Sequence, residues 1–188
     1  MILLSDSFDD AVLAYTVKQW YNTPGSVNLG RTILQKICYF LKSKGVPIDF
    51  EFDIHHYGPY SQELYNRVDQ LLLDNIFVDE SGQPSKSIYK PGCQSEELIN
   101  IHHDELNKYN HEIKTVIKVF SHLNPTQMEL LATIQFFQTT LTKYYRQPPQ
   151  KEVVIQRVLK AKGNKFSHQT ISGFYDILEK AGLFEWSS

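Results

Sequence analysis

Hydrophobic positions in the first quarter of the chain recur every three or four residues and predict two helices. The first begins after Ser7, which stands three residues before Asp10 in capping-box spacing. The second covers the apolar stripe of residues 33–41. We expect Asn28 to cap its start and Gly45 to end it in a left-handed conformation. Its apolar residues cover so wide an arc that this helix is expected at the centre of the fold.

From residue 48 the period of the pattern changes to two, which predicts a half-buried strand over residues 48–56. Its polar side carries three acidic residues, which we expect to face solvent. The segment Tyr57-Gly58-Pro59-Tyr60-Ser61 then turns the chain into a third helix, with apolar positions from 64 to 76. Residues 77–78 and 88–89, joined by a turn over residues 81–84, predict a β-hairpin.

The second half of the chain predicts helices alone. An apolar stripe predicts one long helix over residues 104–123. Asn124-Pro125 ends it and starts another, with Thr126 and Glu129 at capping-box spacing. After an interruption at residues 146–150, a helix over 152–162 and a second one capped by Ser167 form a helix-turn-helix pattern.

These elements predict a mainly α, winged-helix-like protein with a small antiparallel β-element. A short internal echo, LLLDNIF at residues 71–77 and LEKAGLF at 178–184, indicates two helical units of similar design. We therefore divide the chain into a winged-helix-like unit over residues 1–95 and a helical unit over 96–188, whose end carries the helix-turn-helix-like segment.

Composition excludes several classes of function. The chain of 188 residues carries a formal net charge of -2, so no overall field favours nucleic acid or an acidic membrane surface. It contains no apolar segment of 18 residues and does not begin with a signal-peptide pattern, so neither membrane spanning nor secretion is predicted. Its two cysteines, Cys38 and Cys93, form no disulfide framework, which predicts a reducing, cytoplasmic location.

Motifs of catalysis are absent from the sequence: there is no nucleophile elbow, phosphate-binding loop, dinucleotide fingerprint or HExxH. His103 and His111 lie on one helix face, but eight residues of helix rise separate them by about 12 Å, too far to share one ion. We predict a non-enzymatic protein without a metal or cofactor.

The strand-to-helix turn offers the strongest candidate for a contact with a protein partner. Tyrosine supplies a large contact area at low entropic cost and is enriched at binding hot spots. The alternative is structural: Gly-Pro sets the bend while the tyrosines pack on the second helix. Gln35 and Lys36, two polar residues of the second helix, could likewise contact a partner or have no binding role. The simplest explanation is that they lie on a solvated face of the helix. The candidate partner-binding residues are Gln35, Lys36, Tyr57, Gly58, Pro59, Tyr60 and Tyr65.

One segment carries a strong local charge. Residues 143–165 contain seven Lys or Arg residues against a single acidic residue, a net charge of +6. Such a segment before a possible recognition helix could follow DNA phosphates. A solvated basic face or an acidic protein partner is the alternative. The candidate nucleic-acid-binding residues are Lys143, Arg146, Lys151, Arg157, Lys160, Lys165, Gln169 and Thr170.

Short motifs in the first half resemble one known family. The motif residues are Leu34-Gln35-Lys36-Ile37, Tyr39-Phe40-Leu41, Tyr57-Gly58-Pro59 and Leu64-Tyr65. Together they resemble the Panacea, or SocA-type antitoxin-like, domain over residues 28–80, with Tyr60 where that family usually has a small aliphatic residue. The resemblance implies an antitoxin-like or adaptor-like module of a bacterial or phage toxin–antitoxin system. Its protein partner would then be a toxin or a component of a protease system, and DNA binding is the alternative.

Overall fold

The computed structural model describes residues 4–83 and 86–186. Over these residues the chain is mainly α-helical, with two two-stranded antiparallel sheets. The helices are α1 Phe8–Tyr21, α2 Arg31–Ser43, α3 Gln62–Leu73, α4 Ser95–Ile101, α5 His103–Lys108, α6 Asn110–Phe120, α7 Pro125–Tyr145, α8 Lys151–Lys162 and α9 His168–Lys180. The strands are β1 Asp53–His55, β2 Gly58–Tyr60, β3 Phe77–Asp79 and β4 Tyr89–Pro91, and short 3-10 helices cover Gly163–Lys165 and Leu183–Glu185.

The first two helices form largely as predicted. Ser7 and Asp10 make the predicted capping box at the start of α1. Gly45 adopts a φ of +94°, and the backbone N–H groups of Gly45 and Val46 donate to the last carbonyls of α2, which confirms the predicted end. The predicted cap by Asn28 is wrong: α2 begins at Arg31 behind Gly30, because a tight turn at residues 28–30 precedes it.

The predicted strand over residues 48–56 is only partly a strand. Buried or half-buried residues alternate with exposed ones from residue 48 to 55, and Asp49, Glu51 and Asp53 are exposed as expected. His56 interrupts the alternation because it is exposed as well. Only residues 53–55 have a strand partner within the described residues, because the chain folds back immediately and β1 pairs with β2. Residues 58–60 are therefore the second strand of a hairpin and not a turn into the third helix, which Ser61 caps.

The predicted hairpin is confirmed as β3 paired with β4. One residue of its predicted turn, Pro84, lies outside the described residues.

The predicted long helix over residues 104–123 is wrong. Over these residues the chain forms two shorter helices, α5 and α6, with non-helical backbone at Tyr109. A further short helix, α4, precedes them and was not predicted. The break at Tyr109 lies against the start of α1, since its ring packs on Phe8 at a centroid distance of 5.9 Å. The ring of His102, between α4 and α5, also lies near Phe8, at 6.3 Å. The apolar stripe continues through Tyr109, so periodicity alone does not reveal this break.

The C-terminal helices confirm the predicted pattern apart from one cap. Asn124 and Gln127 form the capping box of α7, so the pair predicted for that role, Thr126 and Glu129, is wrong. Glu129 is instead buried. The α8–α9 pair forms with Ser167 as the cap of α9.

Buried apolar residues from both halves of the chain form one continuous core. Every residue of α2 from 33 to 41 is buried, which confirms its central place. The rings of Phe40 and Phe120 stack at 4.1 Å, and α7 packs against α2, α8, α9 and β2. The division at residue 95 and the winged-helix likeness stay predictions. No helix in the described ranges is long and apolar enough to cross a membrane.

Candidate functional site: the cleft beside the β1–β2 hairpin

The largest group of predicted site residues meets in one cavity of about 570 Å³. We call it the hairpin cleft. It lies between the first turns of α2, the tip of the β1–β2 hairpin, α3 and the residues before β4. The cleft brings together five of the seven predicted partner-binding residues: Gln35, Lys36, Tyr57, Tyr60 and Tyr65. The other two, Gly58 and Pro59, are buried in β2 behind it.

Three tyrosines form the aromatic part of the cleft. Tyr57 at the hairpin tip is 59% exposed, so it does not pack into the core on α2. Tyr60 and Tyr65 are half-buried, with ring centroids 6.4 Å apart. The guanidinium of Arg31 lies 4.2 Å from the centroid of the Tyr65 ring. Solvent therefore reaches an aromatic surface that rigid elements hold on each side.

Gln35 and Lys36 are not on a solvated helix face, and that interpretation is wrong. They are only 3% and 1% exposed. The amide of Gln35 accepts from the N–H of Ser61 and donates to its C=O, both at 2.9 Å. Lys36 Nζ donates to the C=O of Pro59 at 2.7 Å. The two side chains thus satisfy backbone groups at the end of β2 as a neighbouring strand would. Their role is to position the hairpin, and they offer little surface to a partner.

Gly58 has a steric reason to be glycine. Its φ of +88° is a conformation that costs other residues energy. A Cβ at this position would also lie 2.9 Å from Thr133 Oγ1 and 3.3 Å from the C=O of Glu129, both on α7. The Tyr-Gly-Pro and Leu-Gln-Lys motifs therefore position the same strand. Gly58 allows β2 to approach α7, and Gln35 and Lys36 of α2 form hydrogen bonds to the backbone at the end of β2.

A buried charged cluster fastens the tip of the same hairpin to the C-terminal helices. Glu129 is 2% exposed, and its two carboxylate oxygens lie 3.0 Å from Lys162 Nζ and 2.7 Å from Lys165 Nζ. Lys162 Nζ also donates to the C=O of His56 at 2.6 Å. Sequence reasoning missed Glu129 and Lys162 as site residues, because nothing local marks a contact between residues 33 positions apart.

Burial, together with the nearby charge of Lys162, lowers the pKa of Lys36 to about 7, while Glu129 acts in the opposite direction. Below pH 7 Lys36 carries its proton in the folded and the unfolded chain, and the cost of burying that charge is present in full. Between pH 7 and 10.5 only the unfolded chain keeps the proton, so this group makes the free energy of unfolding rise with pH. Burial also lowers the pKa of Lys162.

The predicted nucleic-acid-binding residues lie in several environments. Lys151 Nζ is 2.5 Å from Asp176, and Lys165 is bound to Glu129, so neighbouring carboxylates balance these two cations. Arg157 and Lys160, three residues apart, share the exposed side of α8. The remaining candidates, Lys143, Arg146, Gln169 and Thr170, are also exposed.

The described residues contain no group of three or more His, Cys, Asp or Glu side chains that could hold a metal ion. Both cysteines are free thiols. Burial raises the pKa of the Cys38 thiol, which keeps it protonated and unreactive. Cys93 is exposed.

Comparison with known proteins identifies one curated relative that has no stated activity. No family model matches the chain. A stretch of 110 residues, 58% of this chain, is 27% identical to the uncharacterized protein YwgA of Bacillus subtilis (strain 168). The match spans 65% of the length of that relative, just under two thirds.

Proposed function

We propose that the chain is a non-enzymatic module that binds a protein partner, in the manner of an antitoxin or a proteolytic adaptor. The hairpin cleft is its docking site. The observation that carries the proposal is the cleft itself: a cavity of about 570 Å³ where Tyr57, Tyr60 and Tyr65 reach solvent from rigidly held elements. The resemblance of the Leu-Gln-Lys and Tyr-Gly-Pro motifs to the Panacea family supports the same function. Two free cysteines support a cytoplasmic location.

The cleft is organised before any partner arrives. Gln35 and Lys36 fix the edge of β2, and Lys162 fixes the hairpin tip through His56. A surface that is already ordered loses little conformational entropy when it binds, so more of the contact energy contributes to affinity. Buried polar residues behind the tyrosines thus serve binding indirectly.

Tyr60 is the sharpest point at which to test the proposal. Its ring lines the cleft and also touches Tyr65 and His55, but its hydroxyl bonds only to the side chain of Gln62 among the described residues. Truncation at an interface hot spot costs about 2 kcal/mol or more, which weakens binding about 30-fold. Loss of this half-exposed ring should leave the fold intact.

The experiment is affinity purification from the source organism with the wild type, Tyr60→Ala and Tyr144→Ala. Tyr144 is 78% exposed at the end of α7, outside the cleft, and serves as the matched control. We expect a co-purified protein to be lost with Tyr60→Ala and kept with Tyr144→Ala, while circular dichroism shows both variants folded. Recovery of no protein partner by the wild type contradicts the proposal.

DNA binding through α8 and α9 is the second candidate function. It is supported by two exposed cations on α8, Arg157 and Lys160, and by the exposed Gln169 in the first turn of α9, which packs against α8. Retention of duplex DNA should fall steeply with salt and be lost in the double variant Arg157→Glu, Lys160→Glu. The matched control is Lys114→Glu, Lys118→Glu on the exposed side of α6. Equal retention by the two double variants contradicts DNA binding at this site.

A further inference from the structure

The hairpin cleft has a charge bias that the chain as a whole lacks. Its described lining includes two accessible cationic side chains, Arg31 and Lys86, and no Asp or Glu. The protein carries a formal net charge of -2, so the positive charge of the cleft is a local feature. A site of one charge sign with low-dielectric walls attracts groups of the opposite sign.

Arg31 is held ready for a ligand. Its Nε donates to Tyr89 Oη at 3.0 Å, and its guanidinium stacks on Tyr65. Arg31 also forms an ion pair, at 3.6 Å, with Asp69 on the exposed side of α3; Asp69 lies outside the cleft lining. A guanidinium oriented in this way can pair with an incoming carboxylate without further ordering.

Lys86, in the segment before β4, offers a second accessible cation in the lining of the cleft. It is exposed and makes no ion pair within the described part of the chain. Lys36, in contrast, is buried and already bound to the C=O of Pro59, so it is not available for direct contact with a ligand.

Apolar surface accompanies these charges. The rings of Tyr57 and Tyr60 and the side chain of Ile88 line the same cavity. The volume of the cleft, about 570 Å³, is large enough to hold a few side chains of a bound segment. The cleft therefore matches a short segment that combines carboxylates with an aromatic or aliphatic side chain.

We propose that the occupant of the hairpin cleft is an acidic peptide segment of the protein partner. Its carboxylates pair with Arg31 and Lys86, and an aromatic or large aliphatic side chain lies against Tyr57 and Tyr60. This inference rests on the proposed function and names the chemistry of the partner at the same site. The charge pairs set the orientation of the segment, and the apolar side chain supplies buried area.

The test uses random 12-residue peptides displayed on phage and selected on the full-length chain. We expect the enriched peptides to be acidic and to contain an aromatic or large aliphatic residue. The best peptide, made synthetically, should lose about tenfold or more in affinity with Lys86→Glu, because an exposed cation becomes a repulsive anion. Arg31→Gln should have a similar effect, and Lys118→Glu, on α6, is the matched control.

The other outcomes are decisive in different ways. Neutral or basic peptides that still depend on Tyr60 overturn the acidic occupant and leave the proposed function standing. Acidic peptides that bind Lys86→Glu and Arg31→Gln as tightly as the wild type also overturn it, since their charge is then read elsewhere. If an equal concentration of single-stranded oligothymidylate displaces the peptide, the occupant of the cleft is a nucleic acid and the proposal is overturned. Failure of the proposed function itself is measured separately, by the purification with Tyr60→Ala.

Discussion

Substituting Gly58 by alanine tests how the hairpin behind the cleft is held against α7. The new Cβ meets two obstacles. Alanine in a left-handed conformation costs about 1–2 kcal/mol, and forcing an extra methyl group into a packed contact costs about 1–3 kcal/mol more. The contact is tight because the nearest atom, Thr133 Oγ1, would be 2.9 Å away and is itself held by a 2.7 Å hydrogen bond to the C=O of Glu129.

Gly45→Ala is the matched control. Gly45 has nearly the same φ, +94° against +88°, but a Cβ there meets no atom within 4 Å. We expect urea unfolding to show a loss of about 1 kcal/mol for Gly45→Ala and about 3 kcal/mol for Gly58→Ala, because only the second variant adds the steric term. Adding Thr133→Ala to Gly58→Ala should restore part of that difference. Equal losses in the two single variants would refute the proposed close approach of β2 to α7.

Three further predictions concern buried polar groups and caps. The free energy of unfolding, measured by urea titration, should rise by about 3 kcal/mol from pH 7 to 10 in the wild type relative to Lys36→Met. The reason is that in this range only the unfolded wild-type chain keeps the proton on Lys36. A difference between the two proteins that stays constant with pH contradicts this. Gln35→Ala leaves the Ser61 N–H and C=O unpaired and should lower the free energy of unfolding by about 2–4 kcal/mol. Gln156→Ala, on the exposed side of α8, should lower it by under about 0.5 kcal/mol. Similar losses in the two variants contradict this. Asn124→Ala should lower the stability by about 1 kcal/mol in thermal melts, and Thr126→Ala should have almost no effect, since Asn124 makes the capping bond; the reverse order contradicts it.

Local patterns account for most of the helices. Ser7 with Asp10, Gly45 and Ser167 mark helix ends through bonds within a few residues, so their sequence context contains the needed information. The apolar arc of residues 33–41 likewise places α2 at the centre, since a helix buried on all sides is apolar over a wide arc. These features follow from short-range chemistry.

Long-range contacts account for what the sequence alone leaves undetermined. Alternation over residues 48–56 correctly predicts the exposed acidic side, but not the exposure of His56 or the limit of strand pairing to residues 53–55. The break at Tyr109 lies against Phe8, about a hundred residues earlier. Such partners become visible only when the chain is folded.

In the candidate site, too, local sequence predicts some residues, whereas the roles of others depend on long-range contacts. Tyr57, Tyr60 and Tyr65 could be selected from residue type and turn chemistry, because exposed tyrosine near a turn is a typical binding feature. The roles of Gln35 and Lys36 could not, because a polar pair on a helix looks the same whether it faces water or a strand edge. Their partners, Ser61 and Pro59, lie 26 and 23 residues away.

The measurement that tests the central claim most directly is the affinity of the purified partner for three forms of the chain, determined by isothermal titration calorimetry. The account predicts that Tyr60→Ala raises the dissociation constant about 30-fold relative to the wild type, the result of losing about 2 kcal/mol at the cleft. Tyr144→Ala, equally aromatic but at the end of α7, should change it less than about twofold. A partner that binds wild type and Tyr60→Ala equally would contradict the account, because the hairpin cleft would then not be where it docks.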